Sequence, residues 1–93
     1  MAEIDDWRRM GQERYLTGAR FRFQAYVVAR RDWDHDHCEF CTYVEFAEPP
    51  MANALYEGWA TPYNGILVSF RWVCEQCFAD FRDEFGFQVV DSW

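Results

Sequence analysis

Cys38-Glu39-Phe40-Cys41 and Cys74-Glu75-Gln76-Cys77 contain every cysteine of this 93-residue chain, and they are spaced as zinc ligands are. A CxxC turn presents two thiolates to one ion while its backbone amides donate hydrogen bonds to the sulfurs. Two such turns complete a tetrahedral shell. Beyond the second pair, Phe78, Phe81 and Phe85 recur at i, i+3 and i+7, with Asp80, Asp83 and Glu84 mainly on the other side and Gly86 as the stop. Glu75 to Phe85 therefore reads as an amphipathic helix. Cys77 falls in its first turn, where the helix dipole and free N–H groups stabilise a thiolate. A CxxC knuckle, then strands, then a second pair entering a helix is the order of a treble clef. A zinc ribbon, with a second knuckle and no helix, is the near alternative. Four ordinary buried cysteines, a redox CxxC or a site in which His35 or His37 replaces a cysteine are the competing readings. The redox reading needs one pair in a thioredoxin-like context. The expectation is one structural Zn2+ held by Cys38, Cys41, Cys74 and Cys77. Its closed shell leaves no position for substrate, so the metal serves folding.

Outward from the metal turns, Arg20 to Val27 alternates with period two, placing Phe21, Phe23, Ala25 and Val27 on one face of a half-buried strand. Residues 3–16 carry Ile4, Trp7, Met10 and Arg14, with Tyr15, at three-to-four spacing before Gly18, which predicts an N-terminal amphipathic helix. Asp32 to His37 reads as a loop and Thr42 to Phe46 as a strand that Pro49-Pro50 must end. Leu55–Thr61 and Ile66–Val73 read as a hairpin around Asn64-Gly65, with Ile66, Val68, Phe70 and Trp72 on one face. The tail after Phe87 offers a short edge strand. The fold class expected is α+β: one zinc-stabilised domain over residues 1–93, with an antiparallel sheet of about four strands between N- and C-terminal helices.

With 51% hydrophobic and 20% aromatic residues the chain is globular, and at this length a metal staple supplements a small core. No apolar run approaches a membrane span, and the charged residues 1–14 do not read as an export signal. A reducing cytoplasm is the expected location, which favours metal over disulfides. The net charge is −7, unevenly spread: seven of the nine arginines meet four acids in residues 1–31, and two meet twelve acids afterwards. Such a surface repels nucleic acid and suits a basic partner.

Both histidines lie in Trp33-Asp34-His35-Asp36-His37-Cys38. In an extended chain the two imidazoles share one face and the carboxylates the other. A second metal site or an acid–base pair is the functional reading. The simpler one has His35, His37 and Asp36 locking the knuckle or supporting its ligands. Together with WVCEQCFADF at 72–81, WDHDHCEFC at 33–41 resembles a group of small bacterial proteins that share these two segments. The resemblance implies a zinc-holding fold with the four cysteines as ligands, and a role of the kind played by immunity proteins encoded beside polymorphic toxins.

Function is then expected of the surface. The leading expectation is a non-enzymatic protein-binding module, an immunity protein or antitoxin covering the basic catalytic cleft of a toxin. Asp34, Glu75, Asp80, Asp83 and Glu84 would steer such a partner, and Trp59, Tyr63 and Trp93 would anchor it. The alternatives are a nucleic-acid-binding zinc protein using the arginine-rich first third, with Arg20 and Arg22 on an outward strand face, and a small enzyme using His35 and His37 with Asp34 or Asp36.

Overall fold

A computed structural model describes residues 3–28, 34–63 and 66–93, with backbone alone for residues 66–68. The expected Asn64-Gly65 turn, Arg30, Arg31, Asp32 and Trp33, and the facing of Ile66 and Val68 lie outside the described residues. The elements in chain order are α1 (Glu13–Leu16), β1 (Arg20–Ala25), β2 (Asp36–His37), β3 (Glu45–Phe46), β4 (Glu57–Tyr63), β5 (Ile66–Val73), α2 (Glu75–Phe85) and β6 (Gln88–Val89). The fold is α+β, as expected. One sheet runs β5-β4-β1-β6, and β2 pairs with β3 as a separate hairpin.

β4 is antiparallel to both β1 and β5, whereas β6 joins the other edge of β1 in parallel, with Arg20 beside Gln88 and Phe21 beside Val89. The sheet is therefore mostly, not wholly, antiparallel. Its parallel edge follows from connectivity: β5 and β6 point the same way, and α2 is the crossover that parallel strands require. The predicted helix matches α2 at both ends, and Gly86 at φ 68° closes it by donating its N–H to the Arg82 carbonyl.

The apolar face of α2 fills the angle between sheet and hairpin. Phe78 stacks on Trp59 with centroids 3.9 Å apart and meets Phe21 edge-on at 5.3 Å. Phe81 stacks on Phe40 at 4.4 Å, and Phe85 meets the same ring at 5.4 Å. Close packing extends to β4, where a Cβ added to Gly58 would sit 2.3 Å from Cε1 of the fully buried Phe46. Phe46 has no space to retreat into, so Gly58→Ala is expected to cost about 1–3 kcal/mol in urea unfolding.

Three expectations need correction. The helix over residues 3–16 contracts to Glu13–Leu16, and Ile4, Trp7 and Met10 are 94%, 62% and 58% exposed. Gly11, at φ 90°, interrupts the helical path, and the Asp6 carboxylate takes the backbone N–H of Arg8. The inward face of β1 holds only at Phe21: Phe23 is 37% exposed, Ala25 and Val27 are exposed, and Tyr26 is buried instead. Phe21 packs directly on Phe78 of α2, Phe23 reaches only Trp59, and beyond the strand Tyr26 turns in against Trp72. Asp36 and His37, expected in a loop, form β2, and the strand expected at Thr42–Phe46 shortens to β3 because Thr42 occupies a left-handed turn at φ 63°.

Candidate metal centre

The first cysteine pair sits in the turn of the β2–β3 hairpin. Cys38 donates its amide to the Val44 carbonyl at 2.9 Å, and Thr42 donates to the Cys38 carbonyl at 3.1 Å, closing the knuckle. β5 delivers the second pair. Its last residues run beside the knuckle, Glu39 donating its N–H to the Trp72 carbonyl at 2.9 Å, so that Cys74 emerges next to Cys38. Cys74 then occupies the N-cap of α2 with extended backbone, and Cys77 lies in its first turn. A helix, not a second knuckle, carries the pair, which is the treble-clef order.

All four cysteines are buried, and their sulfurs lie within 4.8 Å of one another, with 4.0 Å between those of Cys41 and Cys74. Four thiolates around one zinc stand roughly 3.8 Å apart, so the cluster has the dimensions to hold one metal ion. The amides of Phe40 and Cys74 point at the Cys38 sulfur from 3.5 and 3.4 Å. Hydrogen bonds among the thiols, from Cys38 and Cys77 first, pull the Cys74 thiol below its usual range.

Two residues outside the expected site complete it. Arg8 donates through Nη1 to the Cys77 sulfur at 3.4 Å and to Asp80 at 2.9 Å, and its Nη2 meets Asp6 at 2.7 Å. A guanidinium against the Cys77 sulfur would offset thiolate charge at the cluster. The hydrogen bonds that Arg8 donates to Asp6 hold the Asp6 carboxyl down, at about 2. Gln12, buried, donates to the carbonyls of Arg8 and Glu39, so the N-terminal segment is tied to the knuckle. The cue for Arg8 in the sequence was the basic first third beside an acidic remainder, but nothing there selects one arginine.

The expected surface residues separate in the structure. Asp80 and Glu84 face the N-terminal segment, Asp80 paired with Arg8 and Glu84 with Arg9 at 2.6 Å, while Glu75 and Asp83 are exposed. Trp59 is packed against Phe78. Tyr63 holds the Arg71 guanidinium 3.9 Å from its ring, Tyr15 covers the same group from 4.0 Å, and Arg71 reaches Glu39 at 3.3 Å. Burial pushes the Glu39 carboxyl up despite that arginine. Trp93 donates its indole N–H to Gln24 at 3.3 Å and leans on Phe70.

The histidine-aspartate run braces the knuckle in part. Asp36 accepts the Tyr26 hydroxyl at 2.6 Å, and His37 donates Nδ1–H to the Thr42 carbonyl at 2.7 Å. Asp34 accepts from Nδ1 of His35 at 2.6 Å. That contact raises the affinity of His35 for a proton. Comparison of the chain with family models, curated proteins and solved structures finds no match.

Proposed function

We propose that the four cysteines hold one structural Zn2+ and that the domain so held is a non-enzymatic protein-binding module. Four soft sulfur ligands in a closed tetrahedral cluster suit zinc, and no position in that shell is left for a reacting water. The observation that carries the binding role is the pairing of Trp7 with Tyr43, stacked 6.3 Å apart on the surface at 62% and 73% exposure. Tyr43 projects from the metal knuckle and Trp7 from the segment that Arg8 and Gln12 fasten to it. Exposed aromatic rings of this kind are the usual anchors of a protein interface.

A net charge of −7 favours a basic partner. The resemblance of the two cysteine segments gives the partner its most concrete form, a toxin catalytic domain whose basic cleft the module covers. The test is calorimetric titration of the chain against the product of the adjacent gene at low salt. Binding that weakens with salt is expected, and Trp7→Ala or Tyr43→Ala should each reduce affinity by about 2 kcal/mol, roughly thirtyfold, while leaving the thermal transition in place. Absence of binding, or binding indifferent to both substitutions, would remove this reading.

A further inference from the structure

We infer that His35, His37 and Glu45 form a second metal site, distinct from the cysteine cluster, that takes a zinc-class divalent transition-metal ion through two imidazoles and one carboxylate. One ring nitrogen from each histidine and a carboxylate oxygen of Glu45 lie within 4.8 Å of one another. Nε2 of His35 is 3.6 Å from Oε1 of Glu45, near the roughly 3.3 Å edge of a tetrahedron of nitrogen and oxygen ligands around zinc.

The backbone explains the convergence. His37 and Glu45 are directly opposed across the β2–β3 pair. Side chains in such a pair leave the same face of the ladder. His35 lies two residues before His37, so an extended path returns its ring to that face, and the imidazoles meet edge to face 4.9 Å apart. Register is held on both sides of the site, by the cysteine turn at one end of the hairpin and by the fully buried Phe46 beside Glu45.

The hydrogen bonds of the rings are an independent observation. A carbonyl and a carboxylate can only accept, so Nδ1 of His37 must carry the proton given to Thr42, and Nδ1 of His35 the proton given to Asp34. In the neutral rings Nε2 then holds the free lone pair. Orientation of a ligating imidazole through its other nitrogen by a carboxylate or backbone carbonyl is the normal support of a histidine metal site. Both kinds of support are present here. Three ligands from the chain leave a fourth position, which water can fill at this partly exposed surface.

The untagged chain, its cysteine site first filled with one equivalent of zinc, is dialysed to equilibrium against micromolar zinc, and bound metal is measured. Two zinc ions per chain are expected for the wild type. One is expected for the double variant His35→Ala, His37→Ala and for Glu45→Gln, each with an unchanged far-ultraviolet spectrum. Asp34→Ala should keep the second site but weaken it by about 10–100-fold. In the wild type the second equivalent should move the Nε2 resonances of both histidines. One ion per chain in the wild type, or two in the histidine and Glu45 variants alike, would overturn the assignment. Neither result depends on a protein partner, so this site and the proposed binding role fail separately.

Discussion

Stripping the metal from the cysteine cluster under reducing conditions is expected to unfold the chain, and Cys77→Ser to do the same without a chelator. The magnitude decides this. Zinc held by a structural site contributes about 10–16 kcal/mol to folding at neutral pH, as large as the whole stability of an ordinary domain at about 5–15 kcal/mol. The loss is global here because the two pairs meet where the knuckle packs on the end of β5 and on α2, the junction on which both the hairpin and the helix depend. Without metal, four buried thiols lose their common centre and Arg8 loses the charge it faces. Cys77→Ser replaces one ligand by a poor one at the helix end where Arg8 also binds. Near-ultraviolet circular dichroism, dominated by the many aromatic rings, should collapse as metal is released, and re-addition of zinc should restore it. Acidification acts in the same direction, since protons compete with the ion for sulfur. A depleted chain that keeps both its near-ultraviolet signal and a cooperative thermal transition would show that the cluster does not hold the fold.

The parts of the fold that could be read from the residues are those where a local pattern and its long-range setting agree. In α2, phenylalanines at i, i+3 and i+7, a glycine able to take a positive φ and a cysteine in the first turn all indicate one helix, and the structure contains it between the predicted ends. The N-terminal segment carries the same spacing in Ile4, Trp7 and Met10, yet Gly11 and the Asp6–Arg8 contact divert the chain before a helix develops. Helical periodicity there marked an exposed edge instead of a buried one. Glu45 escaped notice for a different reason. Strands of two residues show no alternation, so its position opposite His37 became visible only with the hairpin register. Parallel pairing of β6 was equally hidden, since it depends on where α2 returns the chain, which no residue of the tail encodes by itself.

Phe40→Ala is expected to be the most damaging substitution outside the ligands. Phe40 is the second spacer of the first CxxC, a position that in an isolated knuckle would face water. Here its ring is fully buried, parallel to Phe81 within 10° at 4.4 Å, edge-on to Phe85 and 6.2 Å from Phe87. It is the apolar link between the metal turn and α2, and truncation leaves a cavity bounded by a helix and a knuckle that cannot close on each other while the cysteines fix their separation. Loss of about 3–5 kcal/mol follows for a buried phenylalanine cut to alanine. At this chain length that lowers the thermal midpoint by about 12 °C or more. Phe40→Leu fills most of the volume and loses mainly ring stacking, so it should retain the larger part of the stability. Denaturant unfolding at saturating zinc measures both. A change below about 1 kcal/mol for Phe40→Ala would mean that the ion alone joins knuckle to helix. A large loss with zinc still bound would show that the metal positions the two elements and the phenylalanine packing holds them together.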